Sequence, residues 1–151
     1  MDIRELCIGD WVYHDDLVFG REIAKVHRLN KDKNGETIGI TVYRSDGAFG
    51  VVGYILTSPI DNDINPIPLT PEILEKNRFE FKHKGIEFDH YETSLENGKT
   101  LLLSFDRGEH YYLMYEEKGE RGLHQIDCPL GYVHQLQHAL RLANIEKEIT
   151  L

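Results

Sequence analysis

The segment from Ile64 to Asn77 constrains the fold of this chain most, because three prolines lie within six consecutive residues of it. Each proline fixes its own φ and pushes the preceding residue toward extended geometry, so a continuous helix cannot run through them. Thr70 followed by Pro71 predicts a helix start, with Thr70 as the N-cap and Pro71 at the first helical position. Asn77 is predicted to end this helix in a left-handed conformation. The segment therefore predicts a stiff hinge with a short helix, which we place at residues 61–78.

Short apolar segments separated by turns precede the hinge. Gly9-Asp10 is predicted to turn the chain into a first strand, and Asn34-Gly35 predicts a hairpin. Segments rich in β-branched and aromatic residues, which are typical of strands, lie at 11–14, 21–29, 37–44 and 49–56. Four or five strands in fewer than about sixty residues predict a small SH3-like β-barrel in residues 1–60.

After the hinge, residues 79–151 predict an antiparallel β-meander followed by a helix. Apolar and polar residues alternate on both sides of a predicted turn at Lys84-Gly85, and this period of two indicates half-buried strands. Asn97-Gly98 is the clearest turn of the chain, because Asn-Gly accepts the positive φ values of a type I′ turn. The run from Leu101 to Leu103 is apolar on both faces and predicts a central strand.

The longest helix is predicted near the C-terminus, from Pro129-Leu130-Gly131 to about Ala143, and Asn144 is predicted to stop it. At about 100° per residue, six residues share one apolar side that is predicted to cover the sheet: Tyr132, Val133, Leu136, Ala139, Leu140 and Ala143. Ile149-Thr150-Leu151 is predicted to pair at a sheet edge. The sequence thus predicts an α+β protein, in which an SH3-like β module and a proline-rich hinge precede a meander covered by a C-terminal helix.

The composition limits the classes of partner. The 151-residue chain carries 17 Lys and Arg against 26 Asp and Glu, a formal charge of −9, and both sides of the hinge are acidic. An acidic surface repels phosphate backbones and anionic membranes, which disfavours broad nucleic-acid or membrane binding. No apolar run is long enough to span a bilayer, and Cys7 and Cys128 have no paired metal-ligand spacing. We therefore expect a cytoplasmic protein with reduced thiols and no cofactor.

Three motifs follow one another along the chain: Leu6-Cys7-Ile8-Gly9-Asp10-Trp11-Val12-Tyr13, the run from Ile67 to Phe79, and Tyr132-Val133-His134-Gln135-Leu136-Gln137. In this order they resemble an uncharacterised family of small proteins from gut bacteria of the Bacteroides type and from their phages and mobile elements. Members of that family carry a Pro-Ile-Pro-Leu-Thr hinge before a short helix and a Tyr-Val-His-Gln-Leu-Gln helix near the C-terminus. The resemblance implies a phage or mobile-element setting and no particular chemistry.

His134 and His138 are the candidates for a metal site. Four residues apart on a helix, two imidazoles lie on one face, as a zinc site uses them. The glutamate of a His-Glu-x-x-His metalloprotease is missing between them, and the sequence offers no third ligand. Both histidines lie opposite the apolar side of the helix, beside Arg141. We therefore interpret them as solvated or hydrogen-bonded side chains and predict no metal.

Other motifs that carry chemistry are incomplete. Four residues fall at positions 1, 3, 5 and 12 of a calcium loop: Asp61, Asp63, Asn65 and Glu72. Pro66 stands where that loop needs a glycine, so we interpret the segment as a polar loop leading into a capped helix. Cys128 precedes the predicted helix, a setting that lowers a thiol pKa, but a structural thiol is the simpler interpretation. The sequence contains no Gly-x-Ser-x-Gly elbow, P-loop or dinucleotide fingerprint.

The one basic concentration lies on the second predicted strand and the loop that follows it: Arg21, Lys25, Arg28, Lys31 and Lys33. Small barrels bind nucleic acid with such edges, and Trp11 or Tyr13 is placed to stack on a base. Acidic residues in the same region cancel much of this field, so a mixed-charge surface is the simpler interpretation.

We therefore expect a non-enzymatic protein-binding or adaptor protein of a phage or mobile element. The alternative is a nucleic-acid-binding module that uses the basic edge of the N-terminal barrel. A third hypothesis is an acidic inhibitor that occupies the nucleic-acid groove of another protein. An exposed tyrosine among Tyr111, Tyr112 and Tyr115 would supply a contact surface, although the core is the simpler place for these rings.

Overall fold

The computed structural model describes residues 5–16, 20–35, 37–44, 52–54, 64–84, 88–106, 110–117, 119 and 122–151. The chain divides into two compact units, Met1–Ile67 and Pro68–Leu151, which we call the first and the second unit. The described residues form antiparallel β-sheets and two short helices, so the protein is of the α+β class. The boundary between the units falls inside the proline-rich segment.

The first unit contains an antiparallel sheet with the strand order β4-β3-β2-β1-β5. Its strands are β1 (Trp11–Asp16), β2 (Gly20–Lys31), β3 (Thr37–Arg44), β4 (Val52–Tyr54) and β5 (Ile64–Pro66). β5 returns beside β1 and pairs Ile64 with His14. Among the described residues, β4 and β5 are the two outer strands, so the sheet is open there and no closed barrel is found.

One face of this sheet forms the core of the first unit. Val12 lies opposite Ala24 on β2, and Val26 lies opposite Val42 on β3, so the four side chains share a face. These residues are buried in one cluster with further apolar residues: Leu6, Ile40 and Ile64. The opposite face of the sheet carries the polar and aromatic residues that alternate with them, as period two requires.

The turn before β1 ties the start of the described chain to β2. Gly9 N–H donates to the carbonyl of Val26 at 2.7 Å, and Val26 N–H donates to the carbonyl of Asp10 at 2.8 Å. The buried Asp10 carboxylate accepts the N–H of Cys7 at 2.7 Å. Gly9 has a φ of 92°, which a residue without a Cβ adopts at little cost. The predicted Gly9-Asp10 turn is therefore confirmed.

The second unit contains an antiparallel sheet with the order β10-β9-β8-β7-β6. Its elements are α1 (Pro71–Lys76), β6 (Glu80–Lys84), β7 (Phe88–Ser94), β8 (Thr100–Asp106), β9 (His110–Glu116), β10 (His124–Leu130) and α2 (Val133–Leu142). The chain turns at Asn97-Gly98 between β7 and β8 as predicted, but of these two residues only Gly98, at 84°, has a positive φ, so the turn is not of type I′. β8 is the central strand, as the leucine run predicts. The predicted turn at Lys84-Gly85 lies outside the described residues.

Alternation along the strands gives this second sheet two different faces. Leu101 and Leu103 are fully buried, whereas Leu102 between them is half-buried on the opposite face. The buried face of β7, β8 and β9 consists of Tyr91, Thr93, Leu101, Leu103, Tyr111 and Leu113. α2 lies against β10 and adds Val133, Leu136 and Leu140 to the buried residues. The half-buried face carries the candidate site described below.

The short helix α1 begins as the sequence predicts, but the backbone at its end differs from the prediction. Thr70 is its N-cap, as predicted, and the Thr70 hydroxyl accepts the N–H of Ile73 at 3.4 Å. Asn77 was predicted in the left-handed region, but its φ is −92°, and Arg78 has a φ of 62° instead. The prediction fails because the Asn77 side chain makes long-range hydrogen bonds, which hold the residue in place.

The C-terminal helix begins later in the chain than the sequence predicts. Pro129-Leu130 belongs to the edge strand β10, where Leu130 pairs with Tyr111 after a register shift, and α2 begins only at Val133. An edge strand tolerates a proline, since it needs hydrogen bonds on one side only. Asn144 has a φ of 52°, which confirms it as the stop. Neither helix in the described part of the chain is long and apolar enough to cross a bilayer.

Asn77 and Thr150 join α1 to the C-terminal segment. Asn77 Nδ2 donates to the carbonyls of Ile73 and Thr150, both at 2.8 Å. Asn77 Oδ1 accepts the Thr150 N–H at 2.8 Å and the Thr150 hydroxyl at 3.3 Å. Ile149 next to Thr150 is fully buried. The segment predicted to pair at a sheet edge is instead held by this side chain.

We expect Asn77→Ala to lower the free energy of unfolding by about 2 kcal/mol, because it removes the part-buried hydrogen bonds of this side chain to the backbone of residues 73 and 150. Urea unfolding followed by circular dichroism measures this. Thr150→Val is the matched control, since it removes only the longest of these hydrogen bonds and should cost less than about 1 kcal/mol. Equal effects of the two substitutions would contradict the assignment.

Candidate functional site

The half-buried face of the second sheet contains a cavity of about 380 Å³. Neighbouring strands β7, β8, β9 and β10 supply its lining, which we call the groove: Phe88, His90, Ser104, Tyr112, Met114 and Gln125. The strand register brings these residues together, since His90 lies opposite Ser104 and Ser104 lies opposite Tyr112. Its volume is within the range of ligand-binding clefts, about 300–1,000 Å³.

The centre of the groove is apolar and aromatic. The rings of Phe88 and Tyr112 meet edge to face, with centroids 6.5 Å apart and planes at 78°. Met114 lies opposite Leu102 and Gln125 in the ladders, so the Leu102 side chain is on the same face. These four large side chains are half-buried. A half-buried apolar centre of this kind gains free energy when a ligand or a partner covers it.

Two polar side chains lie within the apolar lining. His90 Nδ1 and Ser104 Oγ are 3.0 Å apart, and the Ser104 side chain belongs to a buried residue. The ring of His83 on β6 stacks on the ring of His90 with centroids 4.5 Å apart. Burial lowers the pKa of His90, the neighbouring His83 lowers it further, and Asp89 opposes both. His90 therefore favours its neutral form in the folded protein.

Carboxylates border the groove. By the alternation that places His90, Ser104 and Tyr112 on this face, Glu92 on β7, Asp106 on β8 and Glu116 on β9 face the same way. We call these three residues the acidic rim. The acidic rim and the apolar centre therefore lie on one face of the sheet, and Lys82 on β6 lies near Glu92 of the rim.

The Ser104 and His90 pair has the distance of a nucleophile and its base, but its surroundings favour binding. Ser104 lies in the middle of the central strand, where the backbone of β8 pairs with both β7 and β9. An oxyanion needs backbone N–H groups that are not used elsewhere. His83 stacks on His90, whereas a catalytic base is oriented by a hydrogen bond from a third group. A lowered pKa also weakens His90 as a base.

The two predicted metal candidates, His134 and His138, lie on α2, and His134 is buried. His134 is 2 % exposed, which corrects the prediction that it lies opposite the buried side of the helix. The rings of His134 and His138 are 5.8 Å apart at 75°, and His134 also stacks on Tyr132 at 5.9 Å. Tyr132, predicted in the apolar side, is 39 % exposed. Within the described residues of the second unit, no third ligand joins the two histidines.

The predicted nucleic-acid residues lie on one strand and its hairpin, beside the two rings that the sequence already associates with them. Trp11 lies opposite Lys25, and the Lys25 ammonium is 5.0 Å from the centroid of the Trp11 ring. Arg21 lies over the Tyr13 ring at 5.3 Å. We call the set formed with the exposed Arg28 the ring–cation face: Trp11, Tyr13, Arg21, Lys25 and Arg28. Lys31 and Lys33 are exposed at the far end of β2 and in the turn that follows.

Arg21 is engaged in an ion pair on this face. Its Nε and Nη2 donate to the two carboxylate oxygens of Asp15 at 2.6 and 2.9 Å, and Asn65 Nδ2 donates to the same carboxylate at 2.7 Å. These hydrogen bonds, those from Arg21 above all, hold the pKa of Asp15 below its usual value. Arg21 is therefore held over the Tyr13 ring by its ion pair with Asp15.

The remaining candidates do not form sites. Asp61 and Asp63 of the calcium-loop pattern lie outside the described residues, and Asn65 binds Asp15 instead. Cys7 and Cys128 are both exposed. Cys128 lies on β10 and not directly before a helix, which corrects the predicted position of this residue.

The groove is not evident from the sequence. Tyr112 is among the tyrosines that the sequence offers as a contact surface, but local patterns do not align the neighbouring strands. The signal was present, because the Asn97-Gly98 turn sets the register of β7 and β8 and thereby puts His90 opposite Ser104. No protein-family model, no curated protein and no solved structure matches the chain.

We expect the imidazole of His90 to titrate below the ordinary histidine value of 6.5, as measured by NMR of the ring Cε1–H signal. Phe88→Ala should raise the midpoint more than His83→Gln, because burial is the larger cause and the charge of His83 the smaller. A midpoint at or above 6.5 in the unchanged protein would contradict the burial of this ring.

The same shift makes stability depend on pH. The unfolded chain binds the His90 proton more readily than the folded chain, so stability rises with pH in this window. The contribution of His90 to stability is fully present above pH 6.5, the pKa of the unfolded chain. It is lost as the pH falls through the lower pKa of His90 in the folded protein. Urea unfolding at pH values between these two pKa values measures the loss of stability on acidification. His90→Gln should reduce that loss, and an unchanged loss would show that other groups cause it.

Proposed function

We propose that the chain is a non-enzymatic protein-binding or adaptor protein, and that the groove of the second unit receives a segment of the partner protein. The observation that carries the proposal is the combination of a half-buried apolar centre with the acidic rim on one sheet face. Aromatic and methionine side chains are enriched where proteins bind one another, because they give large contact areas at little entropic cost.

The charge of this surface specifies the partner. The rim carries Glu92, Asp106 and Glu116, the whole chain has a formal charge of −9, and His90 favours its neutral form. A partner segment that carries lysine or arginine beside a large apolar side chain complements both parts of the groove. An acidic segment or a nucleic acid would place its charges against the rim. We therefore propose a basic, partly apolar segment as the occupant.

The resemblance described above supports a phage or mobile-element setting for this protein, and the free thiols support a reducing, cytoplasmic one. We further propose that the first unit is an SH3-like barrel, since β5 returns beside β1 in the order that such barrels have. We also keep the prediction that α2 covers the meander, supported by the position of α2 against β10.

Met114 is a direct reporter of the groove, because the chain has only one other methionine, Met1. With ¹³C-methyl-labelled methionine, a short synthetic peptide that alternates lysine with leucine and phenylalanine should shift the Met114 signal and leave the Met1 signal in place. Peptides with glutamate for lysine, or serine for the apolar residues, should bind at least about tenfold more weakly, since each lacks one half of the complementarity.

Leu102→Ser should weaken binding of the lysine peptide, because it removes an apolar contact and adds no charge to the groove. Leu142→Ser is the matched control: Leu142 is 79 % exposed on α2, so the same substitution there should leave binding unchanged. Equal binding by the lysine and glutamate peptides, or an unshifted Met114 signal at saturation, would refute the groove as the docking site.

A further inference from the structure

A second cleft of the second unit carries an inference that is independent of the groove. It encloses about 400 Å³, a volume within the range of ligand-binding clefts, about 300–1,000 Å³. Three parts of the chain line it, and we call it the polar cleft: Arg78 after α1, residues 93–97 at the end of β7 and in the turn that follows, and residues 146–148 near the C-terminus. Among the described residues, none lines both this cleft and the groove.

The hydrogen bonds between Asn77 and Thr150 bring the parts of the polar cleft together. Both atoms of the Asn77 side-chain amide bind the backbone of Thr150, and Arg78 directly follows Asn77. The same hydrogen bonds therefore hold the C-terminal segment beside the end of α1. In that segment the ammonium of the half-buried Lys147 lies 5.3 Å from the centroid of the buried Phe79 ring. Two cations, Arg78 and Lys147, thus line one cleft.

These two cations repel each other. Burial lowers the pKa of Lys147, and the charge of Arg78 lowers it further. In the part of the chain that the structure describes, neither side chain forms an ion pair with a carboxylate. The contact of Lys147 with the Phe79 ring is electrostatic and uses none of the three Nζ–H donors. A negative charge placed between Arg78 and Lys147 would relieve the repulsion.

The backbone of Arg78 adopts a conformation that its side chain disfavours. Its φ is 62°, in the left-handed region where residues with a Cβ are uncommon, and glycine is the usual residue at this position after a helix. The Arg78 N–H donates to the carbonyl of Glu75 at 2.9 Å, a hydrogen bond that any residue except proline can make. The helix end therefore does not require an arginine, which points to a role of the guanidinium in the polar cleft.

Carboxylates line the polar cleft as well. Glu96, Glu146 and Glu148 oppose Arg78 and Lys147, a net charge of −1 for these five side chains. A ligand with only negative charge meets the glutamates, and a ligand with only positive charge meets the two cations. A ligand that carries one charge of each sign complements both sets.

We propose that the polar cleft binds a small zwitterion with a carboxylate and an ammonium group, the chemistry that free amino acids and short peptides share. Arg78 and Lys147 bind the carboxylate, and the ammonium lies against the exposed carboxylates of Glu96 and Glu146. The guanidinium fork of Arg78 matches the two oxygens of a carboxylate, whereas Lys147 contributes a point charge.

Titration of the ¹⁵N-labelled protein tests the proposal through the Nε–H signal of Arg78 and the amide signals of Ser94 and Asn97. Glycine and triglycine represent the two sources of a zwitterion, and at least one of them should shift these signals to saturation. Acetate, methylammonium and inorganic phosphate each lack one of the two charges and should bind at least about tenfold more weakly. The proposal is wrong if acetate or phosphate binds as tightly as the zwitterions. It is also wrong if neither zwitterion shifts the signals at about 50 mM, well above a millimolar Kd.

Arg78→Gly separates binding from folding, because glycine adopts the left-handed conformation readily. The affinity for the zwitterion, followed through Ser94 and Asn97, should fall at least about tenfold, while urea unfolding should show unchanged or higher stability. Asn144→Gly is the matched control. Asn144 also has a positive φ, 52°, and follows α2 outside the polar cleft, so this substitution should leave binding unchanged. Unchanged affinity of Arg78→Gly would overturn the assignment.

Lys147→Gln should also weaken binding of the zwitterion, since it removes the second cation. Lys76→Gln is its matched control, because Lys76 is exposed on α1 and does not line the polar cleft. Equal affinities of these two variants would contradict the role of Lys147. None of these results bears on the groove, which is followed through the Met114 signal.

Discussion

The pairing of β8 with a strand on each side determines what the second unit presents to its surroundings. Leu101 and Leu103 are fully buried, and burial of a leucine side chain is worth about 1.5–3 kcal/mol. A slip of one residue would move both leucines out of the core and turn Leu102 and Ser104 into it, so a leucine and a serine would replace two leucines there. The register is therefore fixed by the core. The groove is a consequence of that register, because residues outside the core follow the same alternation.

The same reasoning explains why both candidate surfaces lie on outer sheet faces. In each unit one face is committed to apolar contacts, and the other face collects whatever the sequence places at alternate positions. On β7 to β9 these positions carry a histidine, a serine and aromatic residues; on β1 and β2 they carry rings and cations. Arg28 is the exception that requires a bulge. Bulges are common where a side chain must be redirected for function. His27 is the inserted residue that turns Arg28 to the outer face.

Local signals predicted much of the fold, and long-range contacts account for what they missed. Thr70 and the Asn97-Gly98 turn were predicted from the intrinsic geometry of caps and turns, and both are present. Asn77 follows the same local logic, yet hydrogen bonds to Thr150, 73 residues later, keep it out of the left-handed region. Such a contact leaves no trace in the residues around position 77.

The candidate sites show the same limit. The basic residues of β2 were visible as a cluster, and Trp11 and Tyr13 were visible as rings beside them, because both lie on adjacent strands joined by a short connection. His90 and Ser104 are 14 positions apart, so their contact depends on a register that the sequence analysis did not derive. The burial of His134 was missed for a related reason: the periodicity of α2 defines an apolar side but not the width of the contact that covers it.

The net charge of the chain does not predict its partners well, because a partner contacts one sheet face and each face has its own charge. At 0.1 M ionic strength the Debye length is about 10 Å, so a ligand senses mainly the charges of the face that it approaches. The acidic rim and the basic residues of the ring–cation face can therefore present opposite local charges, although one chain of charge −9 carries both. The net charge of a chain says little about any one face, because charges farther away than the Debye length are largely screened.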